Sequence, residues 1–186
     1  MPMLRHYVTR LEETPALDRP ASALGRLAAA VHPSSAVRAL AQGATVGHPL
    51  HAAMSDVPVG AWMSSLVLDV RHPGDASSGA ATLLRLALVS TVPTAVLGLA
   101  DFQRLDESQR RVAAVHTTFN SLGVGLGVAS LRARSAGWHG RAAVLSAAGA
   151  TLLSAGGFLG GHIAARLGPP AEPAPERPLG TLLPTE

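Results

Sequence analysis

Four apolar stretches, each about long enough to cross a bilayer, constrain the fold of this chain more than any other feature. They cover residues 49–70, 80–100, 112–131 and 143–165. A helix rises about 1.5 Å per residue, so about 20 residues cross the roughly 30 Å of hydrocarbon in a bilayer. The connections are short and polar, which favours antiparallel packing of sequence neighbours. The sequence therefore predicts an all-α fold, an integral membrane antiparallel four-helix bundle.

The regions outside the apolar stretches are more polar. Residues 1–20 are bounded by prolines, and we expect them to be flexible. Residues 21–42 predict two short helices with Leu24, Leu27 and Val31 on one side, as in an interfacial helix lying on the membrane. The chain thus divides into three parts: an N-terminal polar and interfacial helical segment (1–47), the four-span bundle (48–166) and a proline-rich disordered tail (167–186).

Composition excludes several classes of site and partner. Of the 186 residues, 47% are hydrophobic and none is cysteine, so disulfides, thiolate zinc sites and cysteine-bound iron–sulfur clusters are excluded. The formal charge of +3 comes from arginine, because the chain contains no lysine. These arginines are scattered and aromatic residues are few, so no nucleic-acid surface is predicted. The expected partner is the lipid bilayer.

Arginine placement bears on the orientation of the predicted bundle. Five arginines lie near the spans on each membrane face, so the positive-inside rule is close to a tie. We favour cytoplasmic termini because the N-terminal segment adds four more arginines. The two sets are Arg38, Arg104, Arg110, Arg111 and Arg166 on the face that holds the termini, and Arg71, Arg85, Arg132, Arg134 and Arg141 on the other.

Polar residues concentrate at the ends of the spans that an up-and-down threading brings to one membrane face. Ionisable groups inside a membrane segment are costly and usually mark a function. His51, His116 and His162 are each about one turn, or ~5.4 Å, inside the predicted end of a span, and can form one layer. The full set on this face is His48, His51, Asp56, Asp101, His116, Asn120 and His162.

Small and polar residues also recur at helical spacing within each span. Glycine and threonine on these faces are explained by packing, because small residues permit close approach of membrane helices. Packing does not explain the histidines, since serine or threonine supplies comparable hydrogen bonds at lower desolvation cost. The stripes are His51, Ser55, Pro58, Trp62, Ser65 and Asp69; Thr91, Thr94, Gly98 and Asp101; His116, Asn120, Gly123 and Gly127; and Gly149, Gly156 and Gly160.

Three interpretations of the histidine layer stay open. It binds haem b through two imidazoles, or a transition metal through His48, His51, His116 and His162, with Asp56, Asp101 and Asn120 in support. Alternatively, it is a structural hydrogen-bond network in a non-enzymatic scaffold. A third interpretation is a proton or cation pathway along the first span, from His51 to Asp69.

Several polar residues also have a purely structural interpretation. His48 precedes Pro49 at a helix start and need do no more than lie at the interface. Asp56 could cap a helix that restarts after a kink at Pro58. Asp69 and Arg85 lie toward the opposite face, where they pair or snorkel.

An ordered set of motifs resembles a known family. The strings GHPLHAAMSDVPVGAW with LVLDV, GLADF, RVAAVHTTFN and GGFLGGH resemble the bacterial membrane family called domain of unknown function 2231, over about residues 45–165. The resemblance implies a small four-span protein of the bacterial plasma membrane. Its shared polar positions match His48, His51, Asp56, Asp69, Asp101, His116, Asn120 and His162. Here IAARLGPP replaces the aromatic and glycine-valine run that often follows GGH.

Family resemblance also suggests a redox role. Some relatives carry a Rieske-type iron–sulfur domain after the bundle, which implies membrane electron transfer. This chain has no cysteine and ends in a proline-rich tail. We therefore expect a non-enzymatic subunit that passes electrons through haem or a metal to a membrane redox partner, or that assembles as a homo-oligomer.

Overall fold

The computed structural model describes residues 2–31, 38–39, 41, 43, 50–72 and 78–167, and within these residues the fold is helical without strands. Two short helices, α1 and α2, joined by a 3-10 turn, precede four long helices, α3 to α6, called the bundle below. In chain order the elements are α1 (Pro2–Glu12), the turn (Pro15–Leu17), α2 (Asp18–Val31), α3 (Leu50–Arg71), α4 (Ser78–Phe102), α5 (Glu107–Ser135) and α6 (His139–Leu167).

The third long helix begins earlier than the apolar pattern predicts, at Glu107 instead of residue 112. Its start is fixed by a capping box: the Asp106 carboxylate accepts from the Gln109 backbone N–H at 2.9 Å, and the Asp106 N–H donates to the Gln109 side chain at 3.0 Å. These bonds satisfy donors that a helix start leaves unpaired. Much of the predicted polar connection is therefore helix.

Side-chain bonds between the long helices show antiparallel pairs. Ser65 near the end of α3 binds the carbonyl of Ala80 near the start of α4, at 2.8 Å. Ser130 near the end of α5 likewise binds the carbonyl of Ala142 near the start of α6, at 2.7 Å. The predicted antiparallel packing of these sequence neighbours is confirmed, and further contacts join α4 to α5 and α3 to α6.

Glycines let the bundle close around one aromatic side chain. Gly123 and Gly149 approach so closely that a Cβ on either would lie 3.0 Å from the carbonyl oxygen of the other. The Trp62 ring packs against Gly127 and Gly149, and its indole N–H donates to the Ser146 carbonyl at 3.1 Å. Trp62 is therefore a core residue, and the glycine stripes serve packing as predicted.

The N-terminal helices dock on the bundle end where α4 finishes and α5 begins. Val8 of α1, only 2% exposed, and Ala28 of α2 pack with Phe102, Leu105 and Ile163 in one apolar cluster. Residues 2–12, within the segment expected to be flexible, form a helix, and Val8 and Leu11 of this helix pack against the bundle.

Polar contacts fasten the same docked helices. Arg111 of α5 donates to the Asp18 carboxylate at 2.6 Å and to the Glu12 carbonyl at 2.8 Å, so one guanidinium joins the end of α1 to the start of α2. Leu24 packs toward the core cluster, whereas Leu27 is 53% exposed. The apolar side predicted for α2 is thus rotated from the side that docks.

Three of the long helices are long and apolar enough to cross a membrane: Gly79–Phe102, Glu107–Ser135 and His139–Arg166. Within the described residues α3 does not join this set. It has 22 residues, but two aspartates and three serines lower its mean hydropathy. The all-helical prediction is therefore confirmed, and three of the four predicted spans are candidate membrane spans.

Candidate functional site

His51 connects α3 to α4 near the end of the bundle where the N-terminal helices dock. Its Nδ1 donates to the Thr94 carbonyl at 2.9 Å. The half-buried ring lies against Gly98, where a Cβ would be 2.9 Å from the ring Cε1. A larger residue at this position would therefore force the imidazole to shift.

A proline inside α3 explains why Thr94 is a suitable partner. Pro58 has no N–H, so the Met54 carbonyl four residues earlier loses its helical donor. The Thr94 hydroxyl donates to the Ser90 carbonyl of its own helix at 2.9 Å and lies 3.4 Å from the Met54 carbonyl. Thr94 therefore contacts α3 through its hydroxyl as well as its carbonyl, in a region where unpaired backbone groups are costly.

His116 connects α5 to α6 in the same manner. Its Nδ1 donates to the Gly156 carbonyl at 2.7 Å, and its Nε2 accepts from the Asn120 amide at 3.0 Å. The ring lies against Gly160, where a Cβ would be 2.7 Å from Cε1. We assign the neutral form with the proton on Nδ1, because a carbonyl accepts only from an N–H.

His51 and His116 meet between the two helix pairs. Their ring centroids are 6.5 Å apart and the rings are inclined at 79°, an edge-to-face contact. This histidine pair joins all four long helices through two imidazoles and two carbonyls. The sequence correctly placed these two side chains in one layer.

His162, the third predicted member of the layer, has a different partner. Its Nε2 is 3.0 Å from the Glu12 carboxylate, which also accepts from Arg166 at 2.6 Å. His162 follows Gly160 by two residues, about 200° around α6, so it faces away from His116. The three-histidine layer is therefore not formed, and His162 instead fastens α1 to α6.

Asp101 lies next to the histidine pair, at the end of α4. Its side chain is 9% exposed and interacts electrostatically with His51 and Arg104. Asp101 Oδ1 and Arg104 Nη1 are 3.8 Å apart, and both atoms are buried without a hydrogen-bond partner among the described residues. Asp101 and Asn120 are thus both placed as predicted, beside His51 and His116 respectively.

The other predicted polar residues lie apart from the pair. Asp56 is exposed in the interior of a continuous α3, so the predicted capping of a restarted helix is wrong. Asp69 pairs with Arg134 through two bonds of 2.8 and 2.5 Å, not with Arg85, which is exposed. His48 lies outside the described residues.

The described side chains do not fit haem b in this arrangement. A haem ligated by His51 and His116 needs a free nitrogen on each ring, and both nitrogens of His116 are already hydrogen-bonded. The glycine gaps that would admit a porphyrin are filled by the imidazoles themselves. In the described part of the chain, no three histidine, aspartate or glutamate side chains gather as metal ligands.

Sequence reasoning missed the partners that fix these side chains. The Thr94 and Gly156 acceptors are backbone carbonyls, which carry no side-chain signal. Glu12 and Arg111 lie in polar segments that we assigned to a flexible end and to a connection. The EETP string at residues 12–15 and the double arginine at 110–111 were the available signals, but neither specifies a partner.

Within the described residues the fold is all-helical, with three helices long and apolar enough to cross a membrane. The model of a family described as predicted membrane protein, domain of unknown function 2231, matches residues 47–170, more than half of the chain. The chain therefore belongs to this family, as its motifs indicated. No curated protein and no solved structure matches it.

Proposed function

We propose that this chain is a four-span, non-enzymatic membrane scaffold or subunit whose histidine pair fastens its helices. The observation that carries this proposal is the bonding of both imidazoles. Each donates from Nδ1 to a carbonyl of the neighbouring helix and fills a gap left by a glycine. His116 has no nitrogen left for a cofactor, because its Nε2 also accepts from the Asn120 amide.

The packing of α3 supports its assignment as a fourth span. Leu50 and Met54 near its start pack with Leu97 and Ala100 at the end of α4. Asp69 near its end binds Arg134 at the opposite end of the bundle. At about 1.5 Å per residue its 22 residues extend about 33 Å, so it lies beside the candidate spans over their length. Three of its polar side chains, His51, Ser65 and Asp69, bind neighbouring helices, which reduces the cost of inserting it.

The interactions of His51 and His116 are strong enough to contribute to the free energy of unfolding of a scaffold. Interhelical hydrogen bonds in membrane proteins contribute about 0.6–2 kcal/mol each. The edge-to-face contact of the rings adds about 0.5–1.5 kcal/mol. We expect His51→Ala or His116→Ala to lower the free energy of unfolding by about 2 kcal/mol, because each also leaves a cavity beside a glycine.

Thermal unfolding of the purified protein in detergent tests this role. His51→Ala and His116→Ala should lower the melting temperature, whereas the control His72→Ala, at an exposed position outside α3, should not. Unchanged melting of both pair variants would overturn the proposal. An absorption spectrum and metal analysis of the same samples test the redox alternative: a Soret band or bound metal that the two variants lose would favour it.

Single-cysteine labelling tests the number of spans, and the natural chain supplies no cysteine background. Cysteines placed at Glu13 and Gln103 should label from one side of a vesicle, and cysteines at His72 and Ala136 from the other. If α3 does not cross the membrane, the cysteine at position 13 should label from the side opposite to the cysteine at position 103. Comparing the outside labelling of right-side-out and inverted vesicles also decides whether the N-terminus is cytoplasmic, as the arginine distribution favours.

A further inference from the structure

Arginines without a carboxylate partner gather at the turn that joins α5 to α6. Arg132 lies in the last turn of α5 and Arg141 in the first turn of α6, and both side chains are exposed. In the described part of the chain neither of them forms an ion pair. The nearby carboxylate of Asp69 is already bound to Arg134. The surface around this turn is therefore positively charged.

An exposed aromatic ring lies between these two arginines in the chain. Trp138 is 58% exposed, and the guanidinium carbon of Arg141 is 5.3 Å from the centroid of its ring, a cation–π contact. The Trp138 backbone N–H donates to the carbonyl of Ala133 at 2.9 Å, which holds the turn against the residue that follows Arg132. A guanidinium stacked on a ring still has N–H groups at its edge for another acceptor. Arg132, Trp138 and Arg141 are called the turn patch below.

The turn patch lies at the level of lipid headgroups. Both α5 and α6 are long and apolar enough to cross a membrane. Each has 29 residues, and at about 1.5 Å per residue each extends about 43 Å, beyond the roughly 30 Å of hydrocarbon. Arg132 and Arg141 are each within about 5 Å of a helix end along the helix axis. Tryptophan at this depth is typical of the boundary between membrane and water.

Helix stability explains only one of the two arginines. A cation in the last turn of a helix interacts favourably with the helix dipole, which accounts for Arg132. Arg141 is in the first turn of α6, where the dipole disfavours a cation. An anion bound between the two side chains would offset both this cost and their mutual repulsion. Phosphate is a suitable anion, because a guanidinium can donate two parallel hydrogen bonds to its oxygens.

We propose that the turn patch binds the headgroup of an anionic phospholipid. Arg132 and Arg141 donate to the phosphate oxygens, and the Trp138 ring packs against the apolar part of the same lipid. The ligand is a lipid because the patch lies at the ends of two candidate spans, where headgroup phosphates are concentrated. An anionic headgroup is preferred to a zwitterionic one, because the patch has arginines for the phosphate and no carboxylate of its own for an ammonium group. This inference goes beyond the scaffold role, and it does not require α3 to cross the membrane.

Quenching of tryptophan fluorescence by brominated lipids tests the proposal with the full chain in phosphatidylcholine vesicles. The chain has two tryptophans, and Trp62 is only 1% exposed, so a lipid at the turn patch should quench Trp138. Trp138→Phe gives the background from Trp62, which is subtracted. Each arginine near a membrane surface strengthens binding of anionic lipid roughly fivefold. Brominated phosphatidylglycerol should therefore bind at least about fivefold more tightly than brominated phosphatidylcholine.

Two double variants locate the site of this preference. Arg132→Gln with Arg141→Gln should make the two brominated lipids bind about equally, because both donors to the phosphate lose their charge. The control, Arg19→Gln with Arg26→Gln, removes two exposed arginines from α2 at the other end of the bundle and should retain the preference. If the first variant does not fold, Arg132→Gln alone should lower the preference about fivefold.

Several results would overturn the proposal. Equal binding of the two lipids by the natural chain would show that the patch does not select an anionic headgroup. A preference that survives the substitution of Arg132 and Arg141, or that falls equally in the α2 control, would place the selection elsewhere. Loss of quenching when inorganic phosphate is added at constant ionic strength would identify a free anion as the ligand. Melting temperatures of the histidine variants test the scaffold role separately.

Discussion

Gly156→Ala should destabilise the bundle even though alanine is the better helix former. A methyl group at this position would overlap Asn120 Oδ1 and lie 3.0 Å from Asn120 Cγ. The amide of Asn120 is held by His116 Nε2 at 3.0 Å, and His116 in turn binds the Gly156 carbonyl at 2.7 Å. The substitution must therefore move Asn120 away from His116 or separate α5 from α6.

The sign of the effect follows from three free energies. Alanine stabilises a helix by roughly 0.5–1 kcal/mol relative to glycine. Overpacking of a closely packed site costs about 1–3 kcal/mol. Loss of the bond between Asn120 and His116 costs about 0.5–1.5 kcal/mol more. Because the two costs exceed the gain, we expect the free energy of unfolding of Gly156→Ala to fall by about 2 kcal/mol.

Gly157 provides a matched control on the same helix. A Cβ at Gly157 meets no atom within 4 Å, so Gly157→Ala should retain only the helix-forming gain. Thermal unfolding in detergent, followed by helical circular dichroism, should place Gly156→Ala about 4–8 °C below the natural chain, at about 2–4 °C per kcal/mol. The Gly157→Ala variant should melt at or above the natural chain. Equal melting temperatures of the two variants would refute the proposed contact between α5 and α6.

Three further predictions concern charged groups. Asp69→Ala leaves Arg134 buried without its partner and should lower the free energy of unfolding by about 3–5 kcal/mol in thermal melts, whereas removing both side chains should recover part of the loss. The Gln109 backbone N–H holds the pKa of the Asp106 side chain below its ordinary 3.8, so the stability from this cap is present above that pH and is lost as pH falls through the lowered pKa. Asp106→Asn should keep the cap and remove this acid dependence from melting curves. Glu12→Gln should speed limited proteolysis near residues 13–17, because α1 loses a charged bond to α6.

Each of these predictions has a control or a contrary result. Asp56→Ala removes an exposed carboxylate from α3 and should melt like the natural chain, in contrast to Asp69→Ala. Melting of Asp106→Asn that declines in acid as steeply as that of the natural chain would contradict the capping argument. Cleavage of Glu12→Gln at the natural rate would mean that the apolar cluster around Val8 holds α1 without the carboxylate.

Local sequence patterns were sufficient to predict the long helices and part of the site. The apolar stretches predicted four helices, and the structure has them within a few residues at most ends. The largest error was the start of α5, where the capping box at Asp106 extends the helix into a segment that hydropathy alone assigns to a connection. His51 and His116 met as predicted because both lie a few turns at most from the same end of the bundle.

Partners distant in sequence were not predictable. Asp69 was expected to pair with Arg85 or to snorkel, and it binds Arg134 on α5. His162 was expected beside His116, and it binds Glu12, 150 residues earlier in the chain. A difference of two residues rotates a side chain by about 200°, so depth in a span says little about the direction a side chain takes.

The sequence by itself determined that this chain forms long helices with apolar outer sides and small or polar inner sides, and that it belongs to its membrane family. These properties follow from local composition, because a backbone in hydrocarbon must bond within its own helix. The tertiary structure alone decided that the histidines bind the Thr94 and Gly156 carbonyls and that the Asp101 carboxylate is buried 3.8 Å from Arg104. Those contacts depend on the rotation and register of packed helices, which many residues set together and no local pattern specifies.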